Sequence, residues 1–269
     1  MARKFFTAVV RRFLTPVMTD SSSAALKNLY EVLQYVRVDG PIDAPISVLT
    51  IEDGGEDIQK GISHLKDRFS AMAQAAEDDS LSIAQFLNNE GKFEKKGQIG
   101  ASLSKIAKGL LPSQAAPALY SPASLFCNIK FFPLSKPNMS PKAWKDQYPD
   151  LEDAGLPLWL YQQIARGLSM ENRKALLRRQ VNRDSVIIVA GAFEHWGPLL
   201  FEAFAKRNQI FKRSTEADGL RILHDQSDRI LFYECKMIRT PIGDTACRRL
   251  VESLRGNPMI EKFLTEFPK

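Results

Sequence analysis

The sequence predicts a helix-rich α+β protein with a small mixed or antiparallel sheet in its C-terminal half. Three observations support this class. Most apolar residues recur at helical spacing, residues 184–192 (DSVIIVAGA) form the clearest β-branched run, and residues 216–239 follow the pattern of two strands joined by a short turn. With 269 residues, 44% of them hydrophobic and 25% charged, the chain is long enough for one large domain or two small ones.

The first 18 residues combine apolar and basic side chains and contain no acid. As a helix, this basic amphipathic arm would present a broad apolar stripe with a basic edge. Three functions fit it: an interfacial helix on an anionic membrane, an organelle import sequence, or a segment for self-association with a neighbouring subunit. A plain core helix is the structural alternative.

Residues 1–111 are predicted to form a mostly helical N-terminal region. The serines at 21–23 offer N-caps for a helix, and residues 35–39 (YVRVD) and 46–51 (ISVLTI) have the composition of strands. Helical spacing then runs from residue 58 to residue 111. Residues 112–122 hold three prolines and no charge, which predicts a linker or an extended crossing segment.

Residues 123–269 are predicted to form a basic α+β domain. Residues 124–134 (SLFCNIKFFPL) and 184–192 are predicted strands, and Ser140 followed by Pro141 is a strong helix start. Further helices are predicted at residues 157–168, 170–181 and 199–211. A final helix at residues 245–267, capped by Asp244, is interrupted at residues 256–258.

The net positive charge comes from one part of the chain. Residues 160–269 hold 19 basic and 13 acidic residues, which accounts for the whole net charge of +6. Such a local excess favours nucleic acid or an anionic membrane surface as partner, although it could also serve solubility alone. The residues predicted to contact phosphate are Arg166, Arg173, Lys174, Arg178, Arg179, Arg183, Lys206, Arg207, Lys212 and Arg213.

The positions of the cysteines and histidines limit which metal sites and disulfides the chain could form. The three cysteines are far apart and the three histidines are scattered, which argues against a structural zinc site or a disulfide framework. This usage favours an intracellular, reducing compartment.

One constellation suggests catalysis. Glu202 on a predicted helix, Asp218 on a predicted strand and Glu234-Cys235-Lys236 on the next strand together resemble the PD-(D/E)xK nuclease family. The resemblance implies that Asp218 and Glu234 bind Mg²⁺, that Lys236 acts on the attacking water, and that Glu202 is an accessory acid. It covers residues 202–236 only, and Ala217 stands where the family motif has proline.

The register of the two strands decides whether this metal site can form. If residues 225–228 are a four-residue loop, Asp218 lies opposite Cys235 and faces away from Glu234. If the loop has three residues, Asp218 lies opposite Glu234 and the two carboxylates converge, because a slip of one residue reverses the face. A half-buried hairpin without a metal site is the structural alternative.

The leading hypothesis from the sequence is a non-enzymatic assembly protein, nucleoprotein-like or matrix-like, which binds nucleic acid or an anionic surface and needs no cofactor. The alternative is a Mg²⁺-dependent nuclease that uses the hairpin at residues 218–236.

Overall fold

The structure is a computed structural model of the 269-residue chain. It describes residues 24–33, 38–41, 43–50, 60–66, 98–112, 124–132, 134, 140–168, 177, 186–190, 212–217, 220–224, 231–235 and 241–266. The chain divides into a first unit (residues 1–37, 52–84 and 132–173) and a second unit (residues 38–51, 85–131 and 174–269). Residues 113–122 of the predicted linker lie outside the described residues.

The strands of the described residues are β1 (Val38–Asp39), β2 (Ile46–Thr50), β3 (Phe126–Lys130), β4 (Val186–Ala190), β5 (Lys212–Ala217), β6 (Leu220–His224) and β7 (Leu231–Cys235). The helices of the described residues are α1 (Ala24–Leu33), α2 (Gln98–Leu110), α3 (Pro141–Gln147), α4 (Pro149–Asp153), α5 (Leu158–Leu168), α6 (Asp244–Arg255) and α7 (Pro258–Glu266). Residues 62–66 are also helical. All the strands belong to the second unit.

The strands form one sheet with the order β1-β3-β2-β4-β7-β6-β5. Strands β3, β2, β4 and β7 are parallel neighbours, whereas β1, β6 and β5 each pair antiparallel with the strand beside them. Every residue of β2, β3 and β4 is buried. The buried centre of the sheet is therefore three parallel strands.

The predicted fold class, helix-rich α+β with a small mixed or antiparallel sheet in the C-terminal half, is wrong in its sheet, although the chain is helix-rich as expected. The finding that overturns it is the all-parallel centre, to which β2 and β3 contribute from the N-terminal half of the chain. Parallel neighbours require long crossover connections, so their pairing joins segments that are distant in sequence. Local periodicity identifies such strands but does not show which of them are neighbours.

The parallel centre is held in register by backbone bonds at both ends. Where the strands begin, the Ile46 N–H donates to the Leu125 carbonyl at 3.2 Å and the Val186 N–H donates to the Pro45 carbonyl at 3.1 Å. Where they end, the Phe131 N–H donates to the Thr50 carbonyl at 2.8 Å. Nearly continuous apolar runs, as in β4 (VIIVA), are typical of parallel strands that are covered on both faces.

Helices α2 and α6 pack against the sheet and against each other. Apolar residues of both helices join Ile46, Val48, Phe126 and Ile188 in one hydrophobic cluster. The two helices run in the same direction, because the start of α6 contacts the first half of α2 and the end of α6 contacts the end of α2. The Ile242 N–H, just before α6, donates to Ser102 Oγ at 2.9 Å, and near the other end Arg255 donates to the Gly109 carbonyl.

The end of the chain follows the predicted pattern with one correction. A break between α6 and α7 at residues 256–257 is confirmed, and the Asn257 side chain accepts the Met259 N–H at 3.0 Å at the start of α7. The predicted cap at Asp244 is wrong. Gly243 is the N-cap, and Asp244 is the first helical residue, where a carboxylate interacts favourably with the positive end of the helix dipole.

The first unit has an aromatic core. Trp144 is fully buried, stacks on Tyr161 with ring centroids 4.8 Å apart, and donates from Nε1 to the Leu156 carbonyl at 3.0 Å. The predicted helix start is confirmed, because Ser140 Oγ accepts the Ala143 N–H at 3.2 Å. Buried Tyr148 lies beside the Trp144 ring at 4.9 Å. Position-specific aromatic packing therefore fixes α3 against α5.

The close approach of α2 and α6 depends on Gly109. A Cβ atom at this position would lie 2.6 Å from Cγ2 of Val251, a buried side chain of α6. Contact this short forces the neighbour to move.

We therefore expect Gly109→Ala to destabilise the protein. Overpacking costs about 1–3 kcal/mol and the gain in helix propensity returns up to about 1 kcal/mol, so the net loss is about 1 kcal/mol in urea unfolding. In a Val251→Ala background the methyl group has space, and the same change should then be neutral or stabilising by up to about 1 kcal/mol. An equal loss in both backgrounds would contradict the packing described here.

Candidate functional site

The carboxyl edge of the parallel strands is the best candidate for a functional site. The four parallel strands end there with Lys130, Thr50, Ala190 and Cys235. The chain leaves β2 to form β3 on one side and returns to form β4 on the other side, so the strand order reverses between β2 and β4. In open parallel sheets, ligands bind outside the carboxyl ends of the strands at such a reversal.

Three polar side chains lie near this edge on one face of the sheet. Thr50, Asn128 and Lys130, which we call the polar row, are 0%, 0% and 3% exposed. Thr50 and Lys130 are paired in the register, and Asn128 lies two residues before Lys130 on β3. Because side chains alternate along a strand, the polar row shares its face with Ile46, Val48 and Phe126, which form part of the hydrophobic cluster.

The polar row is internally hydrogen-bonded. Thr50 Oγ1 donates to Asn128 Oδ1 at 2.8 Å. The hydroxyl thereby fixes the orientation of the amide, whose NH₂ group can act only as a donor toward its other neighbours. Lys130 adds an ammonium group with three donors. The row therefore combines a hydroxyl, an amide and an ammonium group, all of them buried.

A second feature is a basic surface on the paired helices of the second unit. Helices α2 and α6 carry five basic residues and two acidic residues, Asp244 and Glu252, and all seven are exposed. We call the five basic residues the α2/α6 basic face: Lys105, Lys108, Arg248, Arg249 and Arg255. These five residues are not conspicuous in the sequence, because they are spread over two helices that are far apart along the chain rather than clustered in one segment.

One ion pair lies at the end of this face where both helices begin. Lys105 Nζ lies 2.9 Å from Asp244 Oδ1 and also donates to the Ile242 carbonyl at 3.3 Å. The hydrogen bond from Lys105, its positive charge and, to a smaller extent, the charge of Arg248 hold the pKa of the Asp244 carboxyl below its usual value. Burial opposes this shift.

Cys247 lies one turn along α6 and is buried. Burial raises the pKa of its thiol; the charge of Lys105 opposes that shift and the charge of Asp244 adds to it. Since the thiolate is the reactive form, burial and the raised pKa both disfavour nucleophilic chemistry at Cys247.

Few of the phosphate-contact residues predicted from the sequence fall on described residues. Arg166 is half-buried near the end of α5, in the first unit. Lys212 and Arg213 begin β5, where they pair with His224 and Leu223, in the second unit. The others lie outside the described residues: Arg173, Lys174, Arg178, Arg179, Arg183, Lys206 and Arg207.

Only one of the four residues of the predicted metal site, Glu234, lies within the described part of the chain. The two predicted strands are present as β6 and β7, and their register pairs Arg221 with Glu234, which is neither of the two pairings considered for Asp218. Asp218 follows β5, Lys236 follows β7, and both lie outside the described residues, as does Glu202. The described part of the chain contains no group of three or more His, Cys, Asp or Glu side chains that could hold a metal ion.

Comparisons of the chain with protein-family models, with curated proteins and with solved structures find no match in any of the three. Within the described ranges, none of the helices has both the length and the apolar character needed to cross a membrane.

The lowered pKa of Asp244 predicts a pH-dependent contribution to stability. Because the folded-state pKa lies below the unfolded value of about 3.9, the contribution is present above that value and is lost as the pH falls through the folded-state pKa. Asp244→Asn should therefore have a lower urea midpoint than the wild type at pH 7, and the difference should vanish in strong acid.

Salt provides the control for this prediction. The pair is exposed, so about 1 M NaCl should shrink the difference at pH 7. A difference that persists unchanged in acid would show that the Asp244 side chain acts through its shape rather than its charge.

Proposed function

We propose that the protein binds nucleic acid through exposed basic side chains of its second unit, as a non-enzymatic binding protein. The observation that carries the proposal is the α2/α6 basic face. The second unit also contains most of the basic residues predicted from the sequence to contact phosphate, namely those from Lys174 to Arg213. Phosphate is the anion that such a surface meets most densely, because duplex DNA carries one negative charge per about 1.7 Å of its axis.

The dimensions of the face suit several phosphates at once. Lys105 and Lys108 are three residues apart on α2, which is about 4.5 Å along the helix axis. Arg248 and Arg255 are seven residues apart on α6, which is about 10.5 Å. Two packed helices lie about 8–10 Å apart, so the cations are distributed over two rows rather than along one line.

The individual residues differ in how firmly they are held. Lys105 forms an ion pair with Asp244, and Arg255 donates a hydrogen bond to the Gly109 carbonyl. Lys108 and Arg248 are exposed, and neither forms an ion pair within the described part of the chain. These two side chains are therefore the best placed to contact backbone phosphates.

Nucleic acid suits this surface better than a membrane does. A helix that lies on an anionic membrane needs large apolar residues beside its basic ones. The exposed residues of α6 are charged or small and polar, and the large hydrophobic side chain that is exposed among the described residues is Trp159, in the first unit. A sequence-independent contact to phosphates follows, since no exposed aromatic ring on α2 or α6 could stack on bases.

We expect Lys108→Gln/Arg248→Gln to weaken binding to a mixed-sequence DNA duplex. If each residue neutralises one phosphate, the slope of log K against log salt should become less steep by about 2, because each contact contributes about 0.9. Filter binding over a salt series measures both the affinity and the slope. The protein should remain folded, because both side chains are exposed.

A matched control removes equal charge elsewhere. Lys142 and Lys145 are exposed on α3 in the first unit, and Lys142→Gln/Lys145→Gln should leave the slope unchanged. Equal slopes and affinities in all three proteins would refute the proposed face. So would binding to vesicles of anionic lipid without binding to DNA. Mg²⁺-dependent cleavage of the duplex that disappears in Glu234→Ala would instead favour the nuclease alternative.

A further inference from the structure

One residue of the α2/α6 basic face is paired with an acid. Lys105 Nζ lies 2.9 Å from Asp244 Oδ1, and the two side chains are 44% and 87% exposed. This distance is typical of a charge-assisted hydrogen bond from an ammonium group to an anionic oxygen, the same bond that a phosphate oxygen accepts. Because both side chains are accessible to solvent, the ion pair is weak and an anion in solution can reach it.

The ion pair lies beside the two residues that are best placed to contact phosphate. Lys108 follows Lys105 by three residues on α2, which is about 4.5 Å along the axis. Arg248 follows Asp244 by four residues on α6, which is about 6 Å. Residues at these spacings are neighbours on the surface of a helix. Because the two helices run in the same direction, Lys108 and Arg248 both lie about one turn beyond the ion pair.

A nucleic acid strand that follows the two helices would therefore present phosphates to the ion pair as well. Each strand of a duplex carries one phosphate per about 3.4 Å of the axis, which is less than one helical turn. A strand that contacts Lys108 and Arg248 thus has a further phosphate close to Lys105. At that position the phosphate and the Asp244 carboxylate compete for the same ammonium group.

The charge of Asp244 has two opposite effects on the protein. It stabilises the first turn of α6, because a carboxylate interacts favourably with the positive end of the helix dipole. It also weakens the attraction of the face for anions. The hydrogen bond and the charge of Lys105 lower the pKa of the Asp244 carboxyl most, and the charge of Arg248 lowers it further, so the acid interacts with two of the five basic residues. Removal of this charge should therefore lower stability and strengthen the binding of a polyanion.

We propose that Lys105 is a third phosphate-contact residue of the α2/α6 basic face and that Asp244 is its internal competitor. In the free protein the carboxylate binds the ammonium group that a phosphate would otherwise contact. The face therefore binds nucleic acid less tightly than its basic residues alone would allow. This inference rests on the function proposed above and adds to it the residue that limits the affinity.

The test is the filter-binding salt series on a mixed-sequence DNA duplex with Asp244→Asn, which keeps the size of the side chain and removes its charge. With Lys105 released, one further phosphate is neutralised on binding, so the slope of log K against log salt should become steeper by about 0.9. Binding should tighten by about twofold to fivefold, because an exposed ion pair is a weak competitor. The urea midpoint of the same variant should fall at pH 7, a combination that a purely structural role of Asp244 would not produce.

Two controls separate competition for Lys105 from a general change in charge. Glu252 is exposed on α6 and forms no ion pair with a lysine in the described part of the chain. Glu252→Gln removes an equal charge but releases no lysine, so it should leave the slope unchanged. In a Lys105→Gln background, Asp244→Asn has no lysine to release, and the slope should equal that of Lys105→Gln alone.

The outcomes for Asp244 and for the basic face as a whole are distinguishable. If Lys108→Gln/Arg248→Gln makes the slope less steep but Asp244→Asn does not make it steeper, the basic face stands and Asp244 is not a competitor. If the slope of Asp244→Asn becomes equally steep in the Lys105→Gln background, Lys105 is not the residue released. If none of the variants changes the slope, the proposed function fails and the role of Asp244 fails with it.

Discussion

The parallel pairing of β2 with both β3 and β4 is the constraint on which the second unit depends. It joins residues 46–50 to residues 126–130 and 186–190, and all fifteen residues are buried. Because no short turn can join parallel neighbours, each connection must return along the length of the sheet. The helices α2 and α6 cover one face of the resulting sheet, and their own contact is set by Gly109 and Val251.

This pairing also creates two chemically different places within one unit. At the carboxyl edge, the strands end in a buried row of donors that is protected from water. On the outer side of α2 and α6, the basic residues are exposed and surrounded by solvent. Electrostatic interactions are strong but local among the buried groups at the edge. Among the exposed side chains of the helices they are weak, additive and sensitive to salt.

Much of the local structure could be predicted from the sequence, because its causes are local. Ser140 followed by Pro141 starts α3, and the Gly-Asn-Pro segment separates α6 from α7. The partners of β2 could not be predicted, since its pairing with β3 spans about 80 residues. The register of β6 and β7 followed neither expected loop length, so the environment of Glu234 could not be deduced from the sequence.

The polar row shows why the candidate site was not predicted. In β3 (FCNIK), apolar Cys127 and Ile129 alternate with polar Asn128 and Lys130, a pattern typical of a strand with one face in water. The structure instead buries both faces, because helices cover the side that the pattern assigns to solvent. Only the tertiary arrangement turns two ordinary polar residues into a buried pair of donors beside Thr50.

Hydrogen exchange of the native protein tests most directly whether β2, β3 and β4 form one cooperative parallel core. Peptides that cover the three strands should exchange slowly and at a common rate. Val48→Ala, which removes buried methyl groups from β2 alone, should accelerate exchange about tenfold or more in all three. Acceleration confined to residues 46–50, with β3 and β4 as protected as before, would contradict the pairing.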